Sequence, residues 1–502
     1  MRHFKTAVIC FLITIEQSSA FSADADRISR IRATAPAVEQ IFRNHAVDNQ
    51  LPGLAYGVVA GGELVLSGSF GYSNIAEKIP ANTETMFRIA SMSKSFTALA
   101  ILQLRDSGKL DLDEPAETYL PEMKDIVYLT TDAPRITIRQ LLTHSSGFPE
   151  DNPWGDRQLS DTDQELMQLI ENGVSFSNVP GINYEYSNLG FALLGQIVQR
   201  VSGMPFTRYM SEHVFKPLGM NSTVWEFEDA PAERLALGYG WRNGEWFDEP
   251  LLHHGSFGAM GGLITSIEDF SIYAALHLAA WPSRSDAESG PLKRSSLREM
   301  HQPWKFAGLN TDSADANGRG CPTASAYAYG LGWRRDCEGR TYVRHSGGLP
   351  GFGSNWTMMP DYDIAVISFD NLTYASTDAV NVTVLDTIIT AAALEPREIP
   401  VSDILEQRKN ELMKMLPEFE NAESAGLFAE NFFLDTPLVI WREKTQAIFN
   451  EAGNTVSVGP IQAENQLRGT FVVEGEIHDL QVFFTLTPER IPLIQELRMS
   501  VQ

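Results

Sequence analysis

Cysteine is scarce, three in 502 residues with no Cys-x-x-Cys pair, so the chain encodes neither a zinc ribbon nor a dithiol redox centre. Positive charge is also short. Thirty-nine Lys and Arg stand against 64 Asp and Glu, a net charge of −25, and that balance repels phosphate backbones and anionic lipid, so no nucleic-acid partner is expected. Past the N-terminal segment no run of about 20 apolar residues is free of charge, so no stable membrane insertion is expected either. Internal repeats and low-complexity tracts are missing; 43% hydrophobic and 10% aromatic residues describe a folded globular chain. Gly-x-Ser-x-Gly, Gly-x-Gly-x-x-Gly and His-Glu-x-x-His do not occur, which argues against an α/β-hydrolase, a dinucleotide site and a metalloprotease. His144 and His253-His254 lack a metal-ligand spacing, and no cofactor or metal is expected.

What is present begins with an export signal. Arg2 and Lys5, an apolar run from Ala7 to Ile15, and Ser18-Ser19-Ala20 have the order of a secretory leader, with cleavage expected after Ala20 and a periplasmic or secreted product. Cys10 lies in that leader. Cys321 and Cys337 then remain, and in an oxidising compartment they either pair or stay as two separate buried thiols.

The rest is too long for one ordinary domain. Gly53–Ala60 and Glu63–Gly71 flank Gly61-Gly62 as a β-hairpin, Phe96–Leu104 is a helix apolar on nearly all faces, and Asp106-Ser107-Gly108 ends it. Helical patches follow at Ile136–Thr143, Asn188–Ser202, Pro205–Phe215 and Ser266–Leu278, the last opened by a Ser266-x-x-Asp269 capping box. Strand character returns at Tyr329–Trp333, Thr341–His345, Ser354–Met359 and Asp363–Phe369, before a helix from Thr377 to Leu394. The expected fold class is α+β: an antiparallel sheet flanked by helices, with an all-helical subdomain inserted at about 109–320. The Pro-bearing stretch Leu394–Pro400 reads as a linker, giving three parts: a leader at 1–20, a main domain at 21–396 and a small α+β roll at 397–502. In the roll, helices are expected at Ile404–Met415, Ala422–Phe433 and Leu438–Glu451, and strands at Thr455–Val458, Gly469–Val473 and Leu480–Leu486. Nothing in it reads as a site, and its partner is not readable.

Three short patterns carry chemistry. Ser91-Met92-Ser93-Lys94 opens the apolar helix, and the i, i+3 spacing places the Lys94 amine on the same face as the Ser91 hydroxyl. A desolvated amine loses its proton more readily and can take the one on serine. Tyr-Ser-Asn occurs at Tyr72–Asn74 and Tyr186–Asn188; Tyr186 is favoured because a helix follows it and Pro180-Gly181 precedes it. His345-Ser346-Gly347-Gly348 ends a β-run, where small residues let a substrate backbone lie against the strand and an N–H point at an oxyanion.

In this order Ser91-x-x-Lys94, Tyr186-x-Asn188 and His345-x-Gly347 resemble the three motifs of the serine β-lactamase and penicillin-binding superfamily. The resemblance is to the branch that holds class C β-lactamases and D-alanyl-D-alanine carboxypeptidases, runs from about 35 to 393, and is supported by Phe87–Ala90, Ile136–Gly147, Pro217–Met220 and Gly261–Leu263. It implies an exported serine hydrolase acting on a small molecule or peptide through a Ser91 acyl-enzyme. Lys94 and Tyr186 would form one proton-transfer unit, Asn188 would hold the Lys94 amine or a substrate amide, and the N–H groups of Ser91 and Gly348 would form the oxyanion hole. His345 departs from the lysine of class C β-lactamases. A neutral imidazole offers no fixed charge for a substrate carboxylate, which favours D-amino-acid peptidase or carboxypeptidase work, or small-ester hydrolysis, over β-lactamase activity. Arg334 or Arg335 is an alternative source of the cation. A non-catalytic penicillin-binding-like protein is the reading from a different class. Trp225, Tyr239, Trp241, Trp246 and Phe247 form either an apolar rim for substrate or a satellite cluster under a loop.

Overall fold

The computed structural model describes residues 24–314 and 318–502, in two compact units divided after Pro396. The expected leader and Cys10 lie outside the described residues.

The first unit is built on a nine-stranded antiparallel sheet: β1 (Gly53–Ala60), β2 (Glu63–Asn74), β3 (Ile79–Pro80), β4 (Lys305–Asn310), β5 (Thr323–Tyr327), β6 (Gly332–Arg335), β7 (Thr341–Leu349), β8 (Phe352–Met359) and β9 (Ile364–Asp370), in the order β3-β2-β1-β9-β8-β7-β6-β5-β4. The central strands β1, β8 and β9 are buried along their whole length, because helices cover both faces. On one face α1 (Ala35–Asp48) and α5 (Asp378–Ala391) pack against Leu54, Tyr56, Val58 and Val366. On the other, α2 (Ser93–Asp106), α3 (Asn188–Ser202) and α4 (Ile267–Leu278) join a larger core with Ala55, Val59, Trp356, Ile367 and Phe369. Successive residues of one strand thus feed two cores, and this turns the usual polar alternation into a continuous apolar run.

The region between α2 and β4 is mostly helices and loops, as expected, but it is not all helical. Tyr239–Arg242 and Glu245–Asp248 form a hairpin. Its turn is Asn243-Gly244, both at positive φ, the pairing that matches the twist of two antiparallel strands. Ile264–Thr265 also pairs with Phe87–Arg88, which ties this lobe to the segment leading into Ser91. β4 lies inside the span assigned to the insert, because Lys305–Asn310 adds to the sheet edge beside β5. At α4 the Ser266 hydroxyl accepts the Asp269 N–H, while the Asp269 carboxylate turns away to accept from Ser222 N and Thr223 Oγ1. Cys321 and Cys337 form a disulfide that brackets β5 and β6.

The second unit has helices at Asp403–Met413 and Leu438–Ala452 and a five-stranded antiparallel sheet, with Leu405, Leu412, Phe471, Val482 and Phe484 in its core. Two strands beyond those expected, Gln462–Asn465 and Ile494–Val501, complete the sheet. The helix expected over Ala422–Phe433 does not form. Gly426 takes φ +64 and Phe428 bridges to Ile494, leaving only a short turn at Ala422–Ser424 and a helical turn at Phe432–Asp435.

Candidate active site

Ser91 lies in a 3-10 turn, Ala90–Met92, that runs directly into α2. The residue before it, Ala90, has φ +49, a left-handed conformation that costs a residue with a Cβ of order 1 kcal/mol. The surroundings hold it there. Ser354 Oγ donates to the Ile89 carbonyl at 2.7 Å, Ser93 Oγ donates to the Ala90 carbonyl at 2.7 Å, and the Ile89 N–H donates to Leu263 O at 2.9 Å.

One turn on, Lys94 is fully buried. Its Nζ lies 2.9 Å from Ser91 Oγ, 2.7 Å from Asn188 Oδ1 and 3.0 Å from the Met260 carbonyl. Three oxygen partners occupy the amine, and burial pushes its pKa down to about 7, against the opposing pull of Asp156 and Asp151. At neutral pH a large share of the amine is therefore unprotonated and able to accept a proton.

Asn188 is the first residue of α3. Ser187 caps the helix through an Oγ that accepts the Gly190 N–H, and Asp151 accepts the N–H groups of both Asn188 and Leu189. With the backbone fixed, the Asn188 side chain bridges: Oδ1 takes Lys94 and Nδ2 donates to Asn152 Oδ1 at 3.1 Å. Tyr186, two residues earlier, places its ring 4.8 Å from Lys94 Nζ, and the Ser91 hydroxyl acts on its phenol. Burial holds that phenol well above its usual pKa. It is a neutral proton donor at pH 7. The other Tyr-Ser-Asn ends up elsewhere, since Tyr72 sits on β2 with its side chain 43% exposed.

The third pattern forms the opposite wall. Gly347 on β7 faces the Ser91 turn so closely that a Cβ there would collide with the Ile89 carbonyl and Ser354 Oγ. Only glycine lets the strand lie against that turn. Gly348 has no room either, because a Cβ would stand 2.9 Å from the Tyr374 ring. His345 is buried, its Nδ1 lies 2.6 Å from the Ser346 carbonyl and its Nε2 2.7 Å from the Tyr327 hydroxyl. A carbonyl can only accept, so Nδ1 carries the proton and Nε2 accepts from tyrosine. Burial, with Lys94 nearby, pushes the imidazole pKa down to about 3, so His345 is uncharged.

Ser91, Tyr186, His345, Ser346 and Gly348 line one cavity of about 650 Å³, with Asn152, Asp156, Tyr184, Tyr327, Trp333 and Tyr374 among its other walls. Lys94, Asn188 and Gly347 are not among its described lining residues; Lys94 reaches it through the Ser91 hydroxyl. Neither arginine put forward as a cation reaches this space: Arg334 stacks 4.4 Å from the Tyr342 ring, and neither it nor Arg335 lines the cavity. Among the described lining residues Arg344 is the one guanidinium, and it is ion-paired with Asp378 of α5. The aromatic group at 225–247 does not form a rim; Trp225 is buried against Phe206 and Phe215, while Trp241 and Trp246 sit on the separate hairpin.

Four contributors carry no local sequence signal. Asp151 and Asn152 act on α3 from more than thirty residues away. His144 packs 4.2 Å from the Tyr186 ring while its Nδ1 accepts the Ser187 N–H, and Tyr327 sits on a strand of small residues. For a metal, the described residues offer the group Glu226, Glu228 and His253, whose ligand atoms lie within 4.8 Å of one another. It is on the surface, and Glu226 already takes hydrogen bonds from both His253 and His254.

The beta-lactamase family profile matches residues 38–387. Among curated relatives, Protein flp of Staphylococcus aureus strain MW2 is 27% identical over 345 residues, which is 67% of this chain and 62% of the relative; the chain thus spans about three-fifths of that relative's length. Among solved structures, the octameric penicillin-binding protein homologue from Pyrococcus abyssi superposes with a TM-score of 0.59 at 20% identity, covering 93% of this chain and 99% of its own. A class C beta-lactamase mutant gives 0.57 at 19% identity over 72% of this chain and 98% of its own. At such identities these two structures speak for the fold.

Proposed function

The chain belongs to the beta-lactamase family, within the serine hydrolase superfamily of β-lactamases and penicillin-binding proteins, and from that premise we propose that it is an exported hydrolase that forms an acyl-enzyme at Ser91. The observation that carries this reading is the Lys94 amine, shared at 2.9 Å and 2.7 Å between the Ser91 hydroxyl and the Asn188 amide. In the first step Lys94 takes the Ser91 proton as Oγ bonds to the substrate carbonyl carbon. The oxyanion that forms is held by the N–H groups of Ser91 and Gly348. Tyr186, its phenol held neutral by burial and its ring 4.8 Å from Lys94 Nζ, gives its proton to the leaving group as that bond breaks and regains one from the Lys94 ammonium. Water then attacks the acyl carbon, its proton passes to the Lys94–Tyr186 unit, and Ser91 leaves with a proton restored.

The substrates are D-amino-acid peptides or small esters rather than β-lactams. Support comes from the uncharged His345 and from Arg344, the cavity's one guanidinium, being committed to Asp378. The disulfide supports export, since such bonds persist in oxidising compartments.

The test is incubation with a fluorophosphonate and with a fluorescent penicillin, followed by intact mass and peptide mapping, and rate comparison between a D-alanyl dipeptide, a short p-nitrophenyl ester and a cephalosporin. Expected are a Ser91 adduct that Ser91→Ala abolishes and turnover of peptide or ester above cephalosporin. A protein that never labels at Ser91 is a binding module, and the proposal fails.

A further inference from the structure

Among the described residues that line the cavity with Ser91 is one carboxylate that the acyl-transfer steps do not use. Asp156 lines the cavity, is 2% exposed, and begins the short turn Asp156–Gln158 that follows the Asn152–Gly155 helix. The Tyr374 hydroxyl acts on its side chain, favouring the charged form, and no arginine or lysine forms an ion pair with it among the described residues. Tyr374 comes from the opposite side of the cavity, on the loop after β9, where its ring stands against Gly348. Its φ of +54 is a region bulky side chains rarely adopt, so the surrounding structure, not local preference, sets where the phenol points.

Asp151 and Glu150 add negative potential at Asp156, Lys94 opposes it, and burial pushes its pKa up to about 6, which still leaves it ionised at neutral pH. Among the described lining residues Arg344 is the one guanidinium, and it is paired with Asp378. A buried anion beside a neutral phenol, with no ion-pair partner among the described residues, attracts a cation that can replace or join that phenol. A substrate carboxylate at the same place meets like charge.

We propose that Asp156 is a specificity-determining residue that reads a protonated amine on the substrate, so that the enzyme prefers acyl donors bearing an ammonium group and rejects those bearing a second carboxylate. This rests on the acyl-serine reading given above and narrows its substrate class. Charge-assisted hydrogen bonds of this kind set a preference of about tenfold to a hundredfold.

The experiment uses three p-nitrophenyl esters of nearly one shape: 6-aminohexanoate, heptanoate and the adipate half-ester, which carry a positive, no and a negative terminal charge. For the full chain at pH 7, kcat/KM should fall in that order. In Asp156→Asn the ammonium-to-neutral ratio should drop at least tenfold, mainly through KM, and the adipate penalty should shrink. Asp156→Glu should keep the order. Tyr374→Phe, which removes the neutral hydroxyl and leaves the charge, should keep or strengthen the ammonium preference. Ratios unchanged within twofold in Asp156→Asn, or an equal fall for all three esters, overturn the proposal. Ser91→Ala separates this failure from the deeper one: if it silences all three esters, only the charge reading has failed, and if turnover persists, the acyl-serine reading has failed as well.

Discussion

Asp151 holds α3 by its first turn: its Oδ1 accepts the Asn188 N–H at 2.6 Å and its Oδ2 accepts the Leu189 N–H at 2.9 Å. A loop residue thus fixes the helix end from which Asn188 reaches Lys94, and its charge raises the pKa of that same amine.

Asp151→Ala should destabilise the protein by about 1–2 kcal/mol, the worth of a lost helix cap, in urea unfolding. With the opposing charge gone, the acid limb of the pH–rate profile should move to lower pH. A limb that stays in place would mean the carboxylate does not act on Lys94.

Lys94 with a pKa of about 7 sets the pH dependence of acylation. Only the free amine accepts the Ser91 proton, so kcat/KM should fall tenfold per pH unit below about 7 and level off above it. Lys94→Met should lose about 10²–10⁴-fold in rate while binding of a substrate analogue survives. A flat profile between pH 5 and 8 would argue against the amine as base.

Gly347→Ala should be harmful in a way that Gly→Ala on an open loop is not. The new methyl collides with the Ile89 carbonyl and lies 3.0 Å from the Ala90 Cβ, so β7 or the Ser91 turn must retreat. We expect a loss of about 1–3 kcal/mol from overpacking and of about 10²-fold in activity from misplaced reacting groups, read by thermal melting and by Ser91 labelling rate.

Two buried histidines predict acid sensitivity. His277 Nδ1 lies 2.8 Å from His301 Nε2, and Trp281 Nε1 donates to His301 Nδ1. Burial pushes His301 down to about 3 and His277 well below its usual value. Both stay neutral in the fold while the unfolded chain protonates near 6.5, so the folded state is favoured above that pH and loses stability as pH falls from about 6.5 toward 3. Unfolding free energies at pH 7 and pH 5 should show this decline, and His301→Gln should flatten it.

The Cys321–Cys337 bond closes a loop of about the length for which chain entropy contributes ~3 kcal/mol. Cys321→Ser with Cys337→Ser should lower stability by that order in urea unfolding, with no comparable effect of reductant on the double variant.

Ser91 and Lys94 were readable because an i, i+3 spacing at a helix start puts both side chains on one face, whereas Tyr186 and the His345–Gly348 run were assigned through the resemblance of their short patterns, in that order along the chain, to the family's motifs. The central strands were readable as apolar runs. β4 and β5 were not: Thr323-Ala-Ser-Ala-Tyr and Lys305-Phe-Ala-Gly-Leu-Asn have small side chains and weak β-propensity, and they are strands because the sheet edge beside them supplies partners. The hairpin at Asn243-Gly244 did carry a clear turn signal, but its aromatics read as a substrate rim or a satellite cluster and not as paired strands. Asp151, Asn152 and Asp156 could not be found from spacing, since their partners come from distant segments.

The pairing of β1 with β9 joins Leu54 to Asp370. The middle of the sheet therefore cannot close until the ribosome has delivered more than three hundred intervening residues, and during that interval the edge of β1 opposite β2 has no strand beside it. An open strand edge is a site for intermolecular pairing, so a variant that slows closure leaves the chain exposed to aggregation for longer.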